Sequence, residues 1–198
     1  MSRPDPTLPA SFAELKRSAL ACTKCPLAAT RTQGVFGVGD EDANLMFVGE
    51  GPGEQEDLQG EPFVGRAGRL LTSLIEDIGL TRADVYIANV VKCRPPGNRD
   101  PLPLEIETCR PYLDAQLAHV DPRIVVTLGN FATKLLLDTK EGITKLRGRE
   151  FPFADAPDGR NTAIIPVFHP AAVLRNGGAA LAEARADFVT IKRALARA

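Results

Sequence analysis

The chain has 198 residues, of which 44% are hydrophobic and 25% charged, which is typical of a globular protein small enough for one domain. No apolar run reaches the ~18 residues of a membrane-spanning helix, and the first residues show no apolar segment of the signal-peptide kind. We therefore expect a cytoplasmic protein with no membrane contact. The net charge of −1 excludes a strongly basic protein, although bases recur after residue 92 and could form a basic face or lie scattered in solvent.

Residues 1–10 are rich in proline and predict a loose N-terminal segment, and Ser11 is a candidate cap for a helix ending near Leu20. Strands and helices then alternate along the chain. Hydrophobic periodicity predicts strands at 45–49, 84–91, 124–128 and 163–168, and helices at 66–78, 103–120, 130–137 and 179–197. This order is typical of a single α/β domain over residues 1–198, with three layers (α/β/α) and a central, mostly parallel, four-stranded sheet.

Unusual residues follow three of the predicted strands, where ligands bind in parallel sheets. Residues 49–57 read Gly-Glu-Gly-Pro-Gly-Glu-Gln-Glu-Asp, a tight turn whose N–H groups could bind a carbonyl or an anion. This turn lacks the Gly-Lys-Ser/Thr of a P-loop and the glycine spacing of a dinucleotide-binding fingerprint. His169, one of two histidines, follows the last strand and is a candidate site residue, whereas His119 lies late in a helix and is interpreted as structural.

Four cysteines occur as two pairs, Cys22 with Cys25 and Cys93 with Cys109. Structural disulfides are not expected inside a cell. The spacing leaves three interpretations open: a zinc site, a redox CxxC beside two unrelated thiols, or a cubane iron–sulfur cluster held by four thiolates.

Taken together, these segments resemble the family-4 uracil-DNA glycosylases, the iron–sulfur branch of that superfamily. The resemblance extends from about Cys22 to the C-terminal helix. It is carried by residues 49–53 with the following Glu56 and Asp57, by 60–68 (Gly-Glu-Pro-Phe-Val-Gly-Arg-Ala-Gly), by 89–96 (Asn-Val-Val-Lys-Cys-Arg-Pro-Pro), by 169–172 (His-Pro-Ala-Ala) and by the cysteines. One departure is Gly51, where the family motif usually has alanine.

The resemblance implies a monofunctional enzyme that flips uracil out of DNA and hydrolyses its N-glycosidic bond. Phe63 would stack on the flipped ring, and Gly49 would be a further uracil-binding residue. Asn89 would read the uracil edge, because a carboxamide offers both a donor and an acceptor. His169 would donate a hydrogen bond to uracil O2, where negative charge develops in the reaction.

The same resemblance assigns further roles. The backbone N–H groups of Glu50 and Gly51 would assist His169, and Glu56 would exclude the methyl group of thymine. Gly51 stands where the best-known glycosylases carry a water-positioning acid, so Glu50 or a substrate phosphate would compensate.

DNA would be held at its phosphates by basic side chains. The candidates are Arg94, Arg99, Lys145, Arg147 and Arg149, with Leu174 and Arg175 entering the gap left by the flipped base. The four cysteines would hold a structural 4Fe-4S cluster, and the expected partner is uracil-containing DNA, single- or double-stranded, bound by a monomer.

Three alternatives remain at this stage. One is a sister branch acting on other damaged bases or on mismatched uracil, which Asn89 disfavours. The others are an iron–sulfur DNA-binding or polymerase-associated module without catalysis, and a zinc-binding nucleotide hydrolase.

Overall fold

A computed structural model describes residue 9 and residues 11–153 and 162–197 of the chain. Its helices are α1 (Phe12–Leu20), α2 (Glu54–Gln59), α3 (Arg66–Asp77), α4 (Pro103–Val120), α5 (Asn130–Leu137), α6 (Ile143–Leu146), α7 (Pro170–Asn176) and α8 (Gly178–Leu195). Its strands are β1 (Val38–Gly39), β2 (Leu45–Gly49), β3 (Tyr86–Asn89), β4 (Ile124–Leu128), β5 (Phe151–Pro152) and β6 (Ala163–Val167). Short 3-10 turns lie at Pro26–Ala29, Arg82–Asp84 and Pro96–Asn98.

The strands form one mixed sheet in the order β1-β3-β2-β4-β6-β5. The four central strands are parallel, whereas β1 and β5 pair antiparallel at the two edges. The α/β class and the parallel centre are confirmed, but the expected count of four strands was too low. Each edge strand has only two residues, which is too short to leave a periodic pattern in the sequence.

Side chains of the central strands alternate between two buried faces, which gives the three layers. Met46 and Val48 of β2 belong to the core on the side of α1, α4 and α5. Leu45 and Phe47 belong to the core on the side of α3, α7 and α8. Because both faces are covered, every residue of β2 is buried, and each large apolar side chain contributes about 1.5–3 kcal/mol.

The predicted longer helices are confirmed, with ends that differ by at most two residues. The strand predicted over 84–91 is shorter, because a 3-10 turn occupies Arg82–Asp84 and the chain leaves the sheet after Asn89. Three short helices, α2, α6 and α7, were not predicted. Apart from residue 9, the N-terminal segment predicted to be loose lies outside the described residues, and no described helix is long and apolar enough to cross a membrane.

The strand order creates a crevice at one edge of the sheet. The chain moves from β2 to β3 on one side and from β4 to β6 on the other. Neighbouring connections therefore diverge between β2 and β4, which is where open parallel sheets bind ligands.

Candidate active site

A cleft of about 600 Å³ opens at the carboxyl ends of the four parallel strands. Each strand supplies residues to its lining: Glu50 follows β2, Asn89 ends β3, Gly129 follows β4 and His169 comes shortly after β6. The topology thus assembles four segments that are far apart in the sequence, from Glu50 to His169.

Asn89 is the most buried polar residue of the cleft. Its side chain is 1% exposed, and its Oδ1 atom has no hydrogen-bond partner among the described residues. A buried, unsatisfied acceptor costs about 1–3 kcal/mol. Such a cost is recovered when a ligand donates to this oxygen, so the geometry indicates a bound group with an N–H or O–H at this position.

The side chain of a buried lysine is hydrogen-bonded to the backbone of Asn89. Lys92 Nζ donates to the Asn89 carbonyl at 2.6 Å and to Gln116 Oε1. The Gln116 amide donates in turn to the Phe36 carbonyl at 2.9 Å and to Tyr86 Oη at 3.2 Å. Burial lowers the pKa of Lys92 to about 8. The end of β3 is therefore fixed by a connected polar network rather than by apolar packing alone.

Phe63 lies against the wall of the cleft in a strained conformation. Its φ of 55° lies in the left-handed region, which costs a non-glycine residue about 1–3 kcal/mol. Its ring is 7% exposed and lies 5.7 Å from the imidazole of His169, centroid to centroid. Gly68 permits this turn, because a Cβ there would stand 1.8 Å from the Phe63 carbonyl oxygen.

Glu56 reaches from α2 to the loop that carries Phe63. Its Oε1 accepts from the N–H groups of Val64 at 2.9 Å and Gly65 at 3.0 Å. The carboxylate also lines the cleft. Glu56 therefore both shapes the Phe63 loop and presents a carboxylate to the open space of the cleft.

His169 stands at the N-cap of α7 with a defined tautomer. Its Nδ1 accepts from the Ala171 N–H at 3.2 Å, which leaves the proton of a neutral ring on Nε2. Burial, with a smaller contribution from Arg175, lowers the pKa of His169 to about 4. Gly129 allows the close approach, because a Cβ there would lie 2.9 Å from His169 Cβ. The ring is thus a neutral donor near pH 7.

Glu50 is an acid of the cleft whose pKa is raised. Burial raises the pKa of its carboxyl to about 7, and the negative charge of Asp100 adds to the shift. A group with such a pKa can take up a proton at neutral pH, which is the property required of a general base.

Two predicted DNA-binding arginines lie on the loop before α4, and both have protein partners. Arg94 donates from Nε to Asn98 at 2.7 Å and lies 3.9 Å from Glu54. Arg99 forms a bidentate pair with buried Glu105, at 2.7 and 2.9 Å. Arg99 also donates to the Asp100 carbonyl, so it orders this loop at the cleft.

The other candidate DNA-binding residues differ in whether they are paired with protein groups or exposed. Arg147 is engaged by Asp187 at 2.9 and 3.0 Å and lies over the ring of Phe168. Lys145 and Arg149 are exposed. Leu174 is 42% exposed although it is apolar, and Arg175 beside it is exposed at the rim of the cleft.

The four cysteines converge on one small cavity between α1, the loop after β3 and α4. Two of the sulfurs already accept N–H donors: Cys93 from Arg31 Nη1 at 2.9 Å and Cys109 from the Lys92 amide at 3.3 Å. Burial raises the pKa of the Cys109 thiol to about 11. In the part of the chain that the structure describes, the cavity wall carries four thiols and neither carboxylate nor imidazole, which is a donor set for a soft metal centre.

Among the described residues, no three His, Cys, Asp or Glu side chains are placed to hold a single metal ion. Four thiols that line one cavity are the ligand set of an iron–sulfur cluster, so the residues present fit such a group.

Sequence reasoning missed three residues of the site. Lys92 was singled out only as a base in a motif, and its complete burial has no signature in the sequence. Asp100 raises the pKa of Glu50, from which it is distant in sequence. Arg82 donates a hydrogen bond to the Phe63 carbonyl. Only the position of Lys92 directly before Cys93, in a motif at a strand end, could have drawn attention to it.

Comparison with known proteins identifies the superfamily to which the chain belongs. A sequence profile described as the uracil DNA glycosylase superfamily matches residues 36–195, which include β1 to β6 and the lining of the cleft. The chain belongs to the uracil-DNA glycosylase superfamily.

The relatives specify the branch. The chain is 50% identical over 156 residues to the type-4 uracil-DNA glycosylase of Thermotoga maritima, a match covering 78% of this chain and 79% of that protein. It is 46% identical over 168 residues to the type-4 enzyme of Archaeoglobus fulgidus, covering 83% of each. It is also 46% identical over 171 residues to that of Sulfurisphaera tokodaii, covering 84% and 77%. The resemblance to the type-4 branch is therefore confirmed, and the chain is a DNA glycosylase that excises uracil from DNA in base-excision repair.

Proposed function

We propose that this cleft receives uracil flipped out of DNA, with Phe63 against its face and Asn89 at its edge. The observation that carries the proposal is the buried Oδ1 of Asn89, which has no partner among the described residues. Uracil N3–H is a donor that suits this oxygen, and the Asn89 amide can donate to uracil O4. Cytosine presents the opposite polarity at these two atoms and is rejected.

His169 stabilises the leaving group. When the C1′–N1 bond breaks, both electrons remain on the base, and the charge spreads to O2. The neutral ring donates its Nε2–H to that oxygen, while the N–H groups of Glu50 and Gly51 assist. One preorganised donor of this kind is worth about 2.7–4 kcal/mol of barrier.

Glu50 serves the attacking water. As the sugar develops positive charge at C1′, water adds through its oxygen and must lose a proton. The Glu50 carboxylate accepts that proton, for which its pKa of about 7 is suited. No acid is required at Gly51, because the neighbouring residue performs this task.

Residues at the rim of the cleft exclude thymine and bind DNA. Glu56 occupies the side of the cleft that a thymine methyl would enter, so thymine meets a charged carboxylate held in place by the Val64 and Gly65 amides. Arg175, Arg94 and Lys145 contact phosphates, and Arg99 orders the loop beside them. Leu174 enters the duplex behind the flipped base, which its 42% exposure supports.

Cys22, Cys25, Cys93 and Cys109 would hold a 4Fe-4S cluster. The group supplies a structural link between the N-terminal segment and the loop of Arg94 and Arg99, and it takes no part in bond cleavage. The convergence of the four thiols on one cavity supports this assignment.

The working unit is a monomer of one domain in the cytoplasm, near the chromosome. The monomer is supported because one chain supplies every residue assigned to the cleft, from one sheet edge or from the loops beside it.

The deciding test is cleavage of a labelled oligonucleotide with one uracil, in EDTA, followed by alkali to open abasic sites. We expect scission at uracil and none at matched thymine or cytosine. Scission by the N89A variant at the wild-type rate would contradict the proposed base recognition. A colourless, fully active protein would contradict the cluster.

A further inference from the structure

We propose that Arg82, which lies outside the cleft lining, is the positioning residue that holds Phe63 against the flipped base. The inference rests on the proposed function, since it concerns the same site. Its basis is a pair of hydrogen bonds: Arg82 donates from Nη2 to the Pro62 carbonyl at 2.8 Å and from Nη1 to the Phe63 carbonyl at 3.2 Å.

The Phe63 loop needs such a restraint. Phe63 is one of four described non-glycine residues with positive φ. Asn98 also lines the cleft, but of the four only Phe63 is buried. A strained backbone persists when its surroundings overdetermine it. Without restraint the peptide would rotate to an ordinary conformation and carry the ring away from the base.

The restraint acts from two sides. Glu56 accepts from the N–H groups that follow Phe63, at Val64 and Gly65. Arg82 donates to the carbonyls of Pro62 and Phe63 itself. The negative Glu56 thus satisfies N–H groups of the loop, and the positive Arg82 satisfies its carbonyl groups. Rotation of the peptides around Phe63 would break at least one of these hydrogen bonds.

Arginine is the side chain suited to this position. Its planar fork presents parallel N–H groups to two oxygens at once. Lysine would offer a single ammonium and could not bridge the two carbonyls in the same geometry. Arg82 is itself half-buried, and burial lowers its pKa while the charge of Glu61 opposes that shift.

The cleft leaves the Phe63 ring little room. A Cβ on Gly49 would lie 2.6 Å from Phe63 Cζ, and the His169 ring lies on another side. Loss of Arg82 therefore displaces a ring that is packed against two other site residues, while the basic groups proposed to grip DNA lie on other segments.

The test compares R82A and R82K with R185A, which breaks an exposed pair with Asp77. Single-turnover excision of uracil at saturating enzyme should fall about 10- to 100-fold in R82A and R82K, because small misplacements at a site are costly. R185A should equal the wild type. Affinity for duplex DNA with a stable abasic analogue should stay within about twofold, because that DNA has no base to stack.

A double-mutant cycle with F63A separates positioning from general destabilisation. If Arg82 acts through Phe63, R82A should have no further effect on excision in the F63A background. An equal loss in both backgrounds, wild-type excision by R82A, or a parallel loss of affinity for abasic DNA would overturn the inference. If the wild-type protein itself fails to cleave at uracil, the proposed function fails instead.

Discussion

Gly49 and Asn89 lie opposite each other at the ends of the parallel strands β2 and β3, and a Cβ on Gly49 would stand 2.4 Å from Asn89 Oδ1. The same atom would lie 2.6 Å from Phe63 Cζ. Gly49 is therefore required by close approach rather than by an unusual φ. Asn89, proposed to read the base, and Phe63, proposed to stack on it, therefore meet across a position with no side chain.

The first prediction concerns this contact. G49A should lower single-turnover excision by about 100-fold, because both Asn89 and Phe63 must shift. The fold should remain, because Gly49 can take an alanine backbone and the strain is confined to the cleft. The measurement is excision rate together with thermal unfolding. G178A is the control, since a Cβ there has nothing within 4 Å, and a wild-type rate in G49A would contradict the packing.

The second prediction concerns the protonation of His169. With a pKa of about 4, the ring should stay neutral and protonated at Nε2 throughout pH 5–8. Nitrogen NMR of the imidazoles can report this, with the H119A variant to assign the two histidines. H169A should lose about 100- to 1,000-fold in rate, and titration of His169 near pH 6.5 would contradict the assigned state.

The depressed pKa of His169 also affects stability. Below pH 6.5 the unfolded chain takes up a proton that the folded site refuses until about pH 4. The stabilisation linked to this site is therefore complete above pH 6.5 and is lost as the pH falls toward 4. Urea unfolding of the wild type should show this loss, and H169N should show a smaller one.

The third prediction concerns Glu50 and Asp100. If ionised Glu50 accepts the proton of water, excision should rise with pH through a midpoint near 7. Removing the negative charge in D100N should move the midpoint to lower pH, and E50Q should abolish it. E107Q removes an exposed acid elsewhere and should leave the midpoint in place. An unchanged midpoint in D100N would argue against the coupling.

The fourth prediction concerns the four cysteines. C109S should lose the absorption near 400 nm of thiolate-bound iron and should lower the melting temperature by on the order of 10 °C, because metal binding contributes to folding. A118S, in the same helix but outside the cavity, is the control. Iron analysis of the purified wild type completes the test, and a finding of zinc in place of iron and sulfide would refute the cluster.

Much of this protein follows from its sequence alone. The four central strands have largely apolar sequences because both sheet faces are buried, and the long helices have apolar residues at helical spacing. The strand-end motifs and the four cysteines predicted a uracil-DNA glycosylase of the type-4 branch, and the relatives confirm this. Such signals are local, so they can be read without coordinates.

Tertiary structure decided the rest, because it depends on contacts between residues distant in sequence. The edge strands β1 and β5 exist only by pairing with β3 and β6. Arg99 has the positive charge expected of a phosphate-binding residue. Its ion pair with Glu105 instead makes it order a loop. The burial of Lys92 beneath Asn89, the neutral state of His169 and the reach of Arg82 to Phe63 depend on burial and distance, which no sequence spacing encodes.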